Sequence, residues 1–193
     1  MTSQMIRPVV LVALMAMAGV LGRPVSALPA DSEQVESSVA PETAAQRKSS
    51  QKKARADMQK LIDDGIKALS AELVDKGSFF PFAAVLGNDN EVRLVGVPAA
   101  QRNTDPETAL SALVARIHQL ALERRIRAAA YFMDYVAQRK DTGFTQPGIR
   151  VELNHRHPDA MSVFIPYSIT PDKKLRLMTP EYRPGKNLTF ESK

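Results

Sequence analysis

The residues with most chemistry to offer lie between Gly148 and Ser168, in GIRVELNHRHPDAMSVFIPYS, where two of the chain's three histidines sit two residues apart beside Glu152. Alternate residues of a strand share a face, so His155 and His157 would project both imidazoles the same way. Such a pair can begin a metal site, and zinc is the ion it would suit, although a zinc centre takes three or four protein ligands. The same parity puts Val151 and Leu153 with the histidines and Arg150, Glu152, Asn154 and Arg156 on the opposite face, so Glu152 points away from both. His118, Asp159 and Asp134 are the other donors within reach of the argument, and no spacing ties them to the pair. The duller reading is that a face which is Val and Leu inside the sheet turns polar as the strand leaves the core. We carry that reading forward: the wet end of a strand, with a metal site or small hydrolase centred on His155 and His157 as the rival.

Other chemistries find less support. The chain has no cysteine, which excludes a thiol nucleophile, disulfides and a lipid-modified cysteine. No Gly-x-Ser-x-Gly elbow presents Ser162 or Ser168, and no glycine-rich loop opens a helix after a strand to cradle phosphate. Gly87-Asn88-Asp89-Asn90-Glu91 lines up oxygen donors but lacks the spaced acids of a calcium loop, and a hairpin turn accounts for it. Asn187-Leu188-Thr189 fits the acceptor pattern for N-glycosylation. No catalytic residue and no cofactor is therefore assigned. What remains is charge: Arg116, Arg124, Arg125 and Arg127, around the end of a predicted helix, are the candidate basic patch for an acidic protein surface, polysaccharide or lipid headgroup.

The chain's N-terminus supplies an address. Arg7 precedes the 13-residue apolar run Val9–Leu21, and Val25-Ser26-Ala27 follows with small residues where a signal peptidase reads them. The run spans about 20 Å as a helix, short for a bilayer core. The expectation is a signal peptide over residues 1–27 and a chain exported to the periplasm or beyond, with a bacterial envelope as the setting; membrane attachment would come only through an uncut leader. Losing Arg7 and Arg23 from 26 basic residues, and none of 21 acids, lowers the net charge from +5 to +3. That mild excess does not point to nucleic acid as a partner. Residues 28–43, poor in large apolar side chains, read as a flexible spacer.

The elements that would position these residues follow from periodicity. Ala54, Met58, Leu61, Ile62, Ile66, Leu69, Leu73 and Val74 mark a helix over roughly 44–76, ended by Gly77. Such a stripe serves as core, and a dimer through this long helix is the other use of it. Apolar runs at 79–86 and 91–97 flank the Gly-Asn-Asp-Asn turn as a hairpin, with Pro81 either confining its strand to an edge or delaying the pairing until after it. A second helix begins at a Thr104/Glu107 capping box with Pro106 in its first turn, turns Ala109, Leu110, Leu113, Val114, Ile117, Leu120 and Ala121 to the core, and closes on Arg124 and Arg125. IRAAAYFMDYVAQ is a strand with both faces largely apolar, hence central in the sheet or covered by helix on one side; the histidine motif is a hairpin turning at His157-Pro158-Asp159, and KKLRLMT is a last short strand. The tail after about residue 180 reads as irregular.

Helices and hairpins without βαβ alternation imply one α+β domain over 44–193: a single antiparallel sheet of about five strands with two main helices, in the order α-β-β-α-β-β-β. That order resembles the layout of profilin-like and roadblock-like domains; the resemblance is one of element order only and transfers no function. The expected role is a non-enzymatic binding module that recognises a partner protein or small ligand in the envelope, to which an inhibitor or immunity-type protein would fit. Aromatics exposed on an uncovered sheet face would mark its binding surface.

Overall fold

The computed structural model describes residues 43–98, 101, 104–138, 142–157 and 160–190. The expected leader, nearly all of the spacer, and Pro158 and Asp159 lie outside the described residues. Helix α1 (Ala44–Lys76) opens on a capping box in which the Thr43 hydroxyl accepts from Gln46 N and the Gln46 side chain accepts from Thr43 N. It ends at Gly77, whose φ of 72° is a left-handed conformation suited to glycine. Then come β1 (Phe82–Gly87), β2 (Val92–Gly96), α2 (Pro106–Leu122), β3 (Ile126–Gln138), β4 (Thr145–His155), β5 (Ala160–Ile169), β6 (Leu175–Leu177) and β7 (Glu181–Pro184).

The described strands form one antiparallel sheet in the order β2-β1-β3-β4-β5-β6, and β7 shares the outer edge of β5 with β6. Pro81 sits just outside β1, so a strand that is central in the sheet escapes the missing donor. Seven strands exceed the expected five or so. The tail is not irregular after residue 180, because β7 pairs with Met161–Phe164. EYRP carries no alternation that would announce a strand; the free edge of β5 creates one.

Each sheet face has its own helix. On the first, Met58, Leu61, Leu69 and Leu73 of α1 pack over Ala84, Ala130, Phe132, Val151 and Leu153. Gly65 admits the Phe132 ring, since a Cβ there would fall 2.0 Å from Cζ. The apolar stripe of α1 is thus buried in its own sheet. On the second face, Ala109, Leu113 and Ile117 of α2 cover Ala83, Val85, Ala129 and Tyr131, joined by Phe190 from the C-terminal segment.

Two details of α2 differ from expectation. Asp105, not Thr104, caps it: the carboxylate accepts from the backbone of Glu107 and Thr108, while the Thr104 hydroxyl donates to Gln101 O. Asp105 directly precedes Pro106, whose fixed φ suits a first helical residue, and a carboxylate is the stronger acceptor at a positive helix end. The helix also stops at Leu122 with no basic residue in its last turn, so Arg124 and Arg125 belong to the connection into β3.

Candidate functional site

Parity along β4 holds: His155 faces α1 and Glu152 the opposite side. His155, however, is not at a wet strand end. It is buried, because Asp57 of α1 reaches over it and accepts from Nε2 at 3.3 Å. Its other nitrogen, Nδ1, accepts the backbone N–H of His157 at 2.8 Å. A ring that accepts at Nδ1 carries its proton at Nε2 and is neutral, and both nitrogens are committed. Burial holds the imidazole below its ordinary pKa, against the pull of Asp57. A metal would have to displace one of these contacts.

Asp57 is the centre of this network. Arg127 donates to it twice, from Nε at 2.7 Å and from an Nη at 3.0 Å, and gives its remaining donors to Gly87 O and Asn90 Oδ1. Burial would raise the Asp57 carboxyl, but the hydrogen bonds from Arg127 and His155 carry it below its usual value. Arg127 therefore leaves the expected basic patch. It lies on β3 with a side chain 14% exposed, turned inward to the 12%-exposed Asp57.

The remaining candidates disperse. Arg116 is exposed in the middle of α2, Arg124 and Arg125 are exposed at the turn after it, and Arg125 pairs with Glu123 at 3.5 Å. His118 accompanies α2 on the second face, where Nδ1 meets Thr189 O at 2.8 Å. Asp134 pairs in register with Ile149, six residues along β4 from His155, or about 20 Å. Asp159 is outside the described residues. Among the described residues no group of three or more His, Asp and Glu side chains is placed to hold a metal ion. The oxygens of the 87–91 turn are also engaged: Asp89 bonds Glu91 N and Arg93, and Asn90 takes Arg127.

A second buried network fixes the C-terminal segment over the sheet. The Thr189 hydroxyl, fully buried, lies 2.7 Å from the Tyr131 hydroxyl and 2.9 Å from Asn154 Oδ1. Asn154 also accepts from Leu188 N and donates to Lys186 O. Asn187 donates to His155 O and accepts from Phe190 N, so its amide is already spent on the fold.

Because α2 packs on β1 and β3, and the C-terminal segment covers β4 at Asn154, the rest of the second face of β4 and β5 has no helix packed on it among the described residues. There the sheet forms a groove of about 950 Å³, walled by Tyr135, Phe144, Phe164 and Met178 with Arg150 and Ser162 at its floor and Glu181 and Arg183 at its rim. Tyr135 and Phe144 are 42% and 58% exposed. Phe164 meets Tyr135 edge-on at 5.9 Å and lies across Gly148, where any Cβ would come within 2.1 Å of the ring. The Arg150 guanidinium sits 5.8 Å from the Tyr135 ring centre and 2.7 Å from Glu152, whose Oε1 also accepts from Ser162 at 2.9 Å. This is an aromatic groove holding an ordered cation. Ser162 is hydrogen-bonded to a carboxylate, and the lining includes no imidazole.

Neither the family models, nor the curated proteins, nor the solved structures contain a match to this chain.

Strand parity put Arg150 and Glu152 together on the face opposite the histidines but gave no role to Tyr135 or Phe164. It missed Phe144, Met178 and the β7 residues. Phe144 had one usable signal, an isolated aromatic among Gly, Thr and Gln between two strands. The pairing of Asp57 with a histidine 98 residues away had none.

Proposed function

We propose that this chain is an exported, non-enzymatic binding module whose open sheet face takes a partner protein or small ligand through an aromatic or apolar group carrying a negative charge. The observation that supports the reading is the groove: Tyr135 and Phe144 stand half in solvent beside Arg150, on a part of the sheet that α2 does not reach. Aromatics and arginine are the side chains that dominate recognition surfaces. Arg150 is oriented by Tyr135 and Glu152 yet remains 46% exposed, so it can receive an acid without reorganising. Export rests on the order of charge, apolar run and small residues before Leu28.

Anilinonaphthalene sulfonate, an aromatic anion, is the probe. Saturable fluorescence enhancement with the chain from Leu28 is expected. Tyr135→Ala with Phe144→Ala should weaken it about 5- to 150-fold, at about 0.5–1.5 kcal/mol for each lost aromatic contact. Both side chains are exposed, so the fold should tolerate their loss. Binding that the double variant leaves unchanged sinks the assignment. Export is checked separately, by fractionation of cells expressing the whole chain with and without Val9–Leu21; equal distribution of the two would contradict it.

A further inference from the structure

The first three turns of α1 have no place in the core. From Ala44 to Lys53 every residue is exposed or half-buried, and the first buried one is Ala54. Within this arm and its margin stand Arg47, Lys48, Lys52, Lys53 and Arg55, all exposed. No acid occurs between Thr43 and Ala56. Those five cations carry the net charge of the whole chain, since the other 21 basic residues equal the 21 acidic ones and the formal net charge is +5. Among the described residues none of the five makes an ion pair.

The fold itself gains nothing from this arrangement. Lys48, Lys52 and Arg55 lie at i, i+4 and i+7, so like charges face one another along one side of the helix, which opposes helix formation. The first turn contains no acid to complement the positive helix end. A helical segment polar on all sides normally relies on pairs of opposite charge, and here there are none. Two apolar residues, Ala44 and Ala45, precede Ala54 in the helix, so the arm has no seam for a coiled coil.

We propose that this cationic arm of α1 is a docking element for an anionic lipid surface. Three observations favour a bilayer over a folded partner. The cations point to more than one side of the helix, as suits a diffuse sheet of charge better than a shaped pocket. The arm offers no aromatic or amide-rich face with which to read a base or a peptide; its polar residues apart from the cations are Gln46, Ser49, Ser50 and Gln51. The apolar run Val9–Leu21, read as an export leader, precedes the arm in the same chain, so export would deliver the arm to a compartment bounded by membrane. Polybasic segments bind such surfaces by charge without inserting. With five unpaired cations gathered at the N-terminal end of α1, docking also orients the domain. The inference stands independently of the groove.

The test uses the chain from Leu28, which keeps every described residue, in cosedimentation with vesicles. Binding is expected to vesicles containing phosphatidylglycerol and not to pure phosphatidylcholine, and should fall as salt rises. A K48Q/K52Q/K53Q variant should lose about fivefold in partitioning per charge removed, or about 100-fold together, at about 1 kcal/mol for each basic residue near the surface. A K173Q/K174Q/R176Q variant removes as much charge from the β5–β6 turn and β6, at the end of the strands away from Asp57 and the arm, and should partition as the parent does. Equal losses in both variants would reduce the effect to net charge and overturn the assignment. So would an absence of binding to anionic vesicles, or tighter binding to a DNA duplex at the same salt. Unchanged melting temperatures in both variants separate charge loss from unfolding.

Discussion

Removing the carboxylate of Asp57 should destabilise the protein more than any other single change of charge. Asp57→Asn keeps the size of the side chain but takes two charge-assisted bonds from Arg127 and weakens the one from His155. Breaking a buried pair from one side costs about 3–5 kcal/mol because the other charge is left behind. Asp57 and Arg127 are 12% and 14% exposed, and Arg127 keeps Gly87 O and Asn90 Oδ1 as acceptors. The lower end, about 3 kcal/mol, is therefore the expectation. For a domain of this size that corresponds to a fall of about 6–12 °C in melting temperature, at about 2–4 °C per kcal/mol. The assay is thermal or urea unfolding of the parent, Asp57→Asn, Arg127→Met and the double variant. Removing both partners should cost less than the sum of the single losses, with a coupling of about 2 kcal/mol. Single variants that melt within about 2 °C of the parent would refute the reasoning, because they would place the pair among solvated ion pairs worth about 0–1 kcal/mol.

The same network carries a pH dependence. A histidine held below its ordinary pKa in the fold takes up a proton more readily when unfolded, so stability should rise with pH through the range up to about 6.5 and level off above it; urea midpoints between pH 5 and 8 measure this, and His155→Gln should flatten the slope. The depressed Asp57 acts in another window, its contribution being lost only as pH falls through and below its ordinary value of 3.8. Thr189→Val strands the Tyr131 hydroxyl, leaves Asn154 Oδ1 with Leu188 N alone, and should cost about 1–3 kcal/mol, read as a lowered melting point and faster amide exchange in β4. Gly65→Ala pushes a methyl into the Phe132 ring and should lose about 1–3 kcal/mol despite the better helix propensity of alanine; a rise in stability would mean that α1 can shift freely on the sheet.

The parts of this fold that were legible in the sequence are those fixed by local periodicity. Helix α1 runs over the residues its stripe marked, and the hairpins turn where Gly, Asn and Pro cluster. Glu152 and His155 part company across the sheet because strand parity is a local rule. What could not be read is what lies above each face. His155 looked solvent-facing because nothing near it in sequence covers it, whereas α1, about 100 residues earlier, lays Asp57 over the ring. Arg127 looked like a neighbour of Arg124 and Arg125, but the chain reverses at Arg124, with φ of 54°, and Arg127 enters the sheet facing the other way. The groove was hidden for the same reason: Tyr135 and Phe164 are ordinary core residues under a helix, and only the reach of α2 decides that they are not under one. β7 owes its existence to an unpaired edge, which no property of EYRP reveals.

The claim that most needs testing is that the uncovered face of β4 and β5 is a recognition surface. Backbone amide shifts of the isotopically labelled chain, followed while anilinonaphthalene sulfonate is titrated, address it residue by residue. Saturating shifts centred on Tyr135, Phe144, Gln146, Arg150 and Phe164, with α1 silent, are the predicted result. Shifts centred instead on the cleft between Phe80 and Leu94, or no saturable shift anywhere, would contradict it.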